Sequence, residues 1–159
     1  MTKLNNQSKA VIIVIIITVL IWILQEYEVV INRSESLPIH AVIVKRGEMP
    51  NAINQIFVFK VKKNHHYKMI NMNFIKLVGG FPGNKVTHDN QKVYVDDNFI
   101  GVSKYHSIKG LPLTQIPDGI IPEHKIFAYT PHINSFDSRY KDLGLIDEKD
   151  IIGTAIFAF

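Results

Sequence analysis

The stretch that decides the fold class, residues 73–83, reads Asn-Phe-Ile-Lys-Leu-Val-Gly-Gly-Phe-Pro-Gly. Its run Phe74–Val78 consists mainly of the aromatic and branched side chains that favour β-strands. The pairs Gly79-Gly80 and Pro82-Gly83 follow, and both are strong breakers of regular structure. The stretch therefore predicts a short strand that ends in a tight connection.

Similar strand-like runs, separated by turn residues, continue along most of the chain. They are Val29–Ile31, Ala41–Lys45, Ile56–Val61, Lys92–Val95 and Phe99–Val102. Asp96-Asp97-Asn98 between the last two has the composition of a hairpin connection. Short helical turns are expected only at Asp147–Ile152 and Ser138–Leu143. The sequence predicts a compact, mainly antiparallel β domain, barrel-like or sandwich-like.

The composition excludes several classes of function. The chain has 159 residues, which suits one domain once a membrane segment is set aside. It has no cysteine, so disulfides, thiol nucleophiles and Cys-rich zinc sites are excluded. The formal charge of +4 comes from dispersed lysines and arginines without a basic run, so nucleic acid is not an expected partner. The seven histidines show no metal-binding spacing, and neither a metal nor another cofactor is expected.

Residues 10–24, AVIIVIIITVLIWIL, form an uncharged apolar segment. The segment is shorter than an average membrane span, so a signal-peptide core and a buried core helix are the alternatives. A retained anchor is favoured because no small-x-small cleavage site follows and Trp22 lies near one end. Lysines precede the segment and glutamates follow it, which places the N-terminus in the cytoplasm. The expected division is a cytoplasmic N-terminus over 1–9, a transmembrane anchor over 10–25 and an extracytoplasmic domain over 26–159.

The first candidate for chemistry is Asn-Arg-Ser-Glu-Ser-Leu-Pro at 32–38, directly after a strand-like run. Pro38 fixes its own φ and pushes Leu37 towards an extended backbone, so Ser36 would lie on a stiff segment that suits a nucleophile. In an extended chain Ser34 would share the side of Ser36. Its hydroxyl could then help a backbone N–H to hold a developing oxyanion. The alternative is a polar turn after a strand.

Lys76 is the second candidate, because a lysine within an apolar strand is costly. Desolvation disfavours the ammonium form and lowers the lysine pKa, and a neutral amine can deprotonate a serine hydroxyl. The alternative is an edge-strand lysine whose amine reaches out to water. The third candidate is Asn-Ser-Phe-Asp-Ser-Arg-Tyr at 134–140, where Asp137 and Arg139 can form a charge-assisted pair. That cluster is either a structural turn or a brace for an active site.

These pieces together resemble the signal peptidase I family, and within it the TraF peptidases of bacterial conjugation systems. The matching motifs, in order, are the N-terminal anchor, Ser-x-Pro at 36–38, Lys-x-Val-Gly-Gly-x-Pro-Gly at 76–83, Ser-Phe-Asp-Ser-Arg-Tyr at 135–140 and Ile-Ile-Gly-Thr-Ala at 151–155. The resemblance covers most of residues 26–159, although 45–68 and 104–117 match poorly. It implies an all-β domain of coiled antiparallel sheets behind one transmembrane helix.

The resemblance also implies roles for individual residues. Ser36 would be the nucleophile and Lys76 the general base, while Ser34 and the Ser36 amide would stabilise the oxyanion. The residues implied as support are Ser135, which orients the lysine amine, and the pair Asp137 and Arg139. Two rival serine–lysine pairs, Ser103-Lys104 and Ser107-x-Lys109, lie in weakly patterned sequence. Neighbouring residues on a strand point to opposite faces, so the first of these pairs cannot easily form a dyad.

The implied function is a membrane-anchored serine endopeptidase with a Ser/Lys dyad, on the outer side of a bacterial inner membrane. Its partners would be the lipid bilayer and exported precursor proteins, namely pilins or signal-peptide-bearing proteins of a conjugative transfer system. The alternatives are a general type I signal peptidase and a catalytically inactive, membrane-tethered β binding module. A self-cleaving repressor-type protein is a poorer fit, because the N-terminus offers no DNA-binding domain.

Overall fold

The computed structural model describes residues 5–64 and 69–159. Within them the chain forms one α-helix, eleven β-strands and one 3₁₀ turn. The elements are α1 (Asn6–Glu26), β1 (Tyr27–Ile31), β2 (Ala41–Arg46), β3 (Ile56–Asn64), β4 (Met69–Gly80), β5 (Lys85–Asp89), β6 (Lys92–Val95), β7 (Asn98–Val102), β8 (Gly119–Ile120), β9 (Lys125–Tyr129), β10 (Ile146–Asp147), the 3₁₀ turn (Glu148–Asp150) and β11 (Ile151–Ala158).

The strands form two sheets, and every strand pairing is antiparallel. The larger sheet has seven strands in the order β1-β2-β11-β3-β4-β9-β10, and the smaller has four in the order β7-β6-β5-β8. The prediction of a mainly antiparallel β domain behind one N-terminal apolar helix is therefore confirmed.

Helix α1 is longer than the apolar segment that predicted it. The side chain of Asn5 caps its first turn by accepting a hydrogen bond from the Ser8 amide at 2.7 Å. The helix has 21 residues and so spans about 30 Å, the thickness of a bilayer core. It is the only such helix in the described part of the chain, and none of its residues is buried. Its length and apolar surface indicate a membrane anchor.

Strand β3 is covered by side chains on both of its faces. Phe57 and Phe59 pack into one hydrophobic cluster, whereas Val58 between them packs into another. The cluster around Val58 also contains Leu37, which follows the candidate nucleophile directly. Burial of Leu37 therefore ties the Ser36 loop to the core of the larger sheet.

Several sequence predictions were wrong in extent or type. Ser138–Leu143 forms turns without a helix, and within Asp147–Ile152 only the central three residues make a 3₁₀ turn while the rest belong to strands. The predicted hairpin between β6 and β7 is confirmed. Asp96 and Asp97 have φ values of 46° and 64°, as the tight turn requires. Strands β5, β8, β9 and β10 were not predicted. Strands β8 and β10 have only two residues each, and β5 is mainly polar, whereas β9 has a buried Ile-Phe-Ala run that the sequence analysis missed.

Strand β4 changes partners along its length, and this places Lys76 at an opening. The strand pairs with β3 from Met69 to Leu77, but it pairs with β9 only from Leu77 onward. On the side of β4 that faces away from β3, none of the described strands pairs with residues 71–76. This edge of the sheet is therefore free. Strand β1 also has a free edge, because β2 is its one partner among the strands that the structure describes.

Gly79 lets β4 approach β9, because a Cβ atom there would lie 2.9 Å from Tyr129 Cδ1, and Gly80 lets β4 approach the second sheet. A Cβ atom at Gly80 would lie 2.8 Å from both Ile121 Cδ1 and Val95 Cγ1, within a buried cluster. The register of β4 against β9 shifts at this point, between Val78 and Gly80. The two glycines are thus needed for packing where the two sheets meet.

Gly80→Ala is expected to lower the free energy of unfolding by about 1–3 kcal/mol, because the added methyl overpacks the core. Denaturant unfolding in detergent, followed by circular dichroism, measures the change. Gly119→Ala is the matched control, since a Cβ atom there meets nothing within 4 Å. If the Gly80→Ala and Gly119→Ala variants were equally stable, the close packing around Gly80 would be contradicted.

Candidate active site

The loop between β1 and β2 presents Ser36 at the surface of the larger sheet. Residues 34–38 form bends and a turn, so Ser34 and Ser36 do not lie on an extended chain. The two hydroxyls nevertheless meet, because Ser34 Oγ lies 2.9 Å from Ser36 Oγ. Both serines line the same groove.

Lys76 reaches this loop from the free edge of β4. Its Nζ atom lies 3.5 Å from Ser36 Oγ and 2.7 Å from Ser135 Oγ. The first contact is at the long limit for a hydrogen bond, as is common for catalytic contacts in the absence of substrate. Lys76 is only 5% exposed, so the alternative of an amine that reaches out to water is wrong.

Burial controls the protonation of the Lys76 amine. It lowers the pKa of Lys76 from the ordinary value of 10.5 to about 8. The nearby Asp137 carboxylate raises this pKa and the Arg139 guanidinium lowers it, and both effects are smaller than that of burial. A substantial fraction of the amine is therefore neutral near pH 8 and able to accept a proton.

A completely buried ion pair lies beneath the lysine. Arg139 Nε and Nη2 donate to the two carboxylate oxygens of Asp137, each at 2.8 Å, and both side chains are 0% exposed. Arg139 also donates to the backbone carbonyls of Val102 at 3.0 Å and His132 at 3.1 Å. The pair therefore joins β7 to the loop that carries Ser135.

The guanidinium fits only because β7 has a glycine at this position. A Cβ atom at Gly101 would lie 2.7 Å from Arg139 Nη1. Asp137 holds the same guanidinium through two hydrogen bonds, which a shift of Arg139 away from this position would break. The second sheet thus shapes the floor of the candidate active site.

The rival serine–lysine pairs make other contacts. Ser103 Oγ donates to the Gln91 carbonyl, while Lys104 Nζ donates to the side-chain oxygen of Asn134. Ser107 Oγ accepts a hydrogen bond from the Leu111 amide within an exposed turn. Among the residues that the structure describes, no three His, Asp or Glu side chains are grouped to hold a metal ion. His65 and His66 lie outside the described residues.

The serines and the lysine line a groove of about 900 Å³. Its walls come from the two free strand edges, β1 with Val29 and Ile31, and β4 with residues 71–76. Ile108, at the tip of the loop after β7, lies along the groove although it is 80% exposed. The groove therefore combines unpaired backbone edges with apolar side chains, which suits an extended peptide.

The structure brings together all six residues that the sequence singled out. Ser34, Ser36, Lys76 and Ser135 form a continuous chain of contacts, and the Asp137–Arg139 pair lies next to it. Sequence reasoning missed Asn32, whose side chain turns inward across the Ser36 loop. A single asparagine in a polar segment gives no signal of such an orientation.

Comparison with known proteins gives consistent matches. A family profile described as "Signal peptidase, peptidase S26" matches residues 4–159. The chain is 28% identical over 145 residues to "Signal peptidase IB" of Staphylococcus aureus (strain COL), covering 81% of this chain and 70% of that protein. The protein of the same name from strain N315 is 27% identical over the same length. Among solved structures, a signal peptidase I from Enterococcus faecalis V583 aligns with a TM-score of 0.42 and 18% identity, over 68% of this chain and 98% of that chain.

Asp137→Ala is expected to lower the free energy of unfolding by about 3–5 kcal/mol, because it leaves the buried Arg139 guanidinium without a compensating negative charge. Urea unfolding of the full chain in detergent measures the change. Glu48→Ala is the matched control, since it removes an exposed pair with Lys45 and should leave stability nearly unchanged. A similar small effect for both variants would show that the buried pair does not brace the site.

Proposed function

Because the chain belongs to the signal peptidase, peptidase S26 family, whose members are serine peptidases, we propose that Ser36 is its nucleophile and Lys76 its general base. The observation that carries this proposal is the buried Lys76 amine, 3.5 Å from Ser36 Oγ and with its pKa lowered to about 8. A base with a pKa near the working pH is effective in general base catalysis.

The proposed reaction begins when the neutral Lys76 amine takes the Ser36 proton. Ser36 Oγ then attacks the scissile carbonyl, and the lysine passes the proton to the departing amine as an acyl-enzyme forms. Water, deprotonated by the same lysine, hydrolyses the ester. The Ser34 hydroxyl and the Ser36 amide would stabilise the oxyanion, while Ser135, 2.7 Å from Lys76 Nζ, would hold the amine in place.

The substrate is proposed to bind as an added strand. An extended segment of an exported precursor would pair with the free edge of β1 or of β4 at residues 71–76. The Val29, Ile31 and Ile108 side chains would form the apolar part of the groove. Backbone pairing would then supply affinity, and the pockets for alternate side chains would supply specificity.

The membrane anchor is proposed to orient the enzyme. Lys3 and Lys9 precede the uncharged segment 10–24, and Glu26 and Glu28 follow it. Residues 1–9 would therefore be cytoplasmic, and the β domain would be on the outer, periplasmic side of a bacterial inner membrane. Helix α1 continues into β1 without a loop, which keeps Ser36 near the membrane surface. Enzyme and precursor would share that surface at a high effective concentration.

A narrower proposal concerns the substrate class. The Ser-Phe-Asp-Ser-Arg-Tyr motif at 135–140 resembles that of TraF peptidases and supports pilin precursors of a conjugative transfer system as substrates. The curated relatives carry the name "Signal peptidase IB", and this favours secretory precursors in general as the second candidate. An inactive binding module is disfavoured, because Ser36, Lys76 and Ser135 are all present and in contact.

Ser36→Ala and Lys76→Ala are each expected to reduce precursor cleavage at least about a thousandfold, because each removes one member of the dyad. The assay uses the full-length protein in detergent with a signal-peptide-bearing precursor and, separately, a pilin precursor. Mass spectrometry of the products identifies the cut and distinguishes a linear from a cyclic product.

Ser8→Ala and Lys149→Ala are the matched controls, since both side chains lie outside the groove. They should retain the activity of the unmodified chain. Circular dichroism verifies that every variant is folded. The catalytic assignment is wrong if a folded Ser36→Ala variant cleaves at the original rate. Cleavage of the secretory precursor alone would exclude the narrower pilin proposal.

A further inference from the structure

The Asn32 side chain bridges the two sides of the Ser36 loop. Its Oδ1 atom accepts hydrogen bonds from the Ser34 amide and the Ser34 hydroxyl, both at 3.1 Å. Its Nδ2 atom donates to the backbone carbonyls of Leu37 at 3.1 Å and Ile39 at 2.9 Å. One amide group thus uses two acceptor positions and both donors within a single loop.

Only one orientation of this amide satisfies its neighbours. The opposite orientation would place the NH₂ group against the Ser34 amide, donor against donor. It would also place the oxygen of Asn32 against the Leu37 and Ile39 carbonyls, acceptor against acceptor. The hydrogen-bond network therefore assigns the oxygen to the Ser34 side of the loop.

This orientation determines where the serine protons point. An amide oxygen only accepts, so Ser34 Oγ must donate its proton to Asn32. At the 2.9 Å contact between the hydroxyls, Ser36 Oγ is then the donor and Ser34 Oγ the acceptor. In the absence of substrate, the Ser36 proton therefore points towards Ser34 and away from Lys76.

The ends of the loop are fixed independently of the Asn32 side chain. The Asn32 amide donates to the His40 carbonyl at 2.8 Å, and the His40 amide donates to the carbonyl of Phe159 at 2.6 Å. Leu37 is also buried in the core. Removal of the Asn32 side chain should therefore leave the loop attached while releasing the turn that carries Ser34 and Ser36.

We propose that Asn32 is a positioning residue that holds the Ser34 hydroxyl in place and sets the direction of the Ser34–Ser36 hydrogen bond. When a substrate carbonyl arrives, the Ser34 proton turns from Asn32 to the developing oxyanion, and the Ser36 proton turns to Lys76. Asn32 continues to hold the Ser34 backbone amide and the Leu37 and Ile39 carbonyls during this change. The proposal rests on the proposed role of Ser36 as nucleophile.

The test compares Asn32→Ala, Ser34→Ala and the double variant in the precursor-cleavage assay, with kcat and KM measured separately. Asn32→Ala is expected to lower kcat about tenfold to a hundredfold, the effect of a small misplacement of reacting groups. KM should stay within about twofold, because the strand edges that form the groove are unchanged. In the double variant the fold-loss of kcat should be smaller than the product of the fold-losses in the two single variants, since Asn32 acts through Ser34.

Asn84→Ala is the matched control. Asn84 is also half-buried and accepts a hydrogen bond from the Phe81 amide at 2.7 Å, but it lies outside the groove. The Asn84→Ala variant should retain kcat even if its thermal stability falls as much as that of the Asn32→Ala variant. The proposal is overturned if Asn32→Ala keeps kcat within twofold of the unmodified chain, if the losses simply multiply, or if Asn84→Ala loses kcat equally. Ser36→Ala in the same assay separates these results from a failure of the nucleophile assignment.

Discussion

The burial of one lysine amine is the constraint on which the rest of the structure depends. Lys76 is attached to a β-strand and surrounded by protein, so its charged form is penalised. The neighbouring carboxylate and guanidinium act on its pKa in opposite directions, which leaves burial as the deciding influence. Ser135, at 2.7 Å, gives the amine a hydrogen-bond partner whether it is charged or neutral. The fold thus buries a lysine amine, at a cost in stability, next to the Ser36 hydroxyl.

The fold meets this constraint by bringing both sheets to the same place. Strand β4 leaves residues 71–76 unpaired on one side, which opens the groove, and then pairs with β9 to close the core. The buried pair of Asp137 and Arg139 fills the space beneath Lys76 and attaches the Ser135 loop to β7. Neither sheet alone would position the lysine, its serine neighbours and the free edge of β4.

The sequence predicted those parts of the molecule that depend on local patterns. Alternating runs predicted β-strands, Asp96-Asp97 predicted a hairpin, and a lysine in an apolar strand predicted a perturbed amine. Local patterns alone could not predict the contacts of Lys76 across 40 and 59 positions of the chain, which depend on strand order; these pairings were implied only by the family resemblance. The sequence left open whether the chain at Ser34 and Ser36 is extended or turned, because the turn depends on the Asn32 side chain and on the burial of Leu37.

The pKa of Lys76 in the full-length protein tests the central claim most directly. NMR titration of the lysine side chains, ¹³C-labelled at Cε, in detergent would give this value, with Lys76→Arg identifying the resonance. Because burial disfavours the ammonium form, the amine should lose its proton at a lower pH than an exposed lysine. We expect a titration midpoint at about pH 8. A midpoint near 10.5, the ordinary lysine value, would contradict the account, since Lys76 would then remain charged beside Ser36 at working pH.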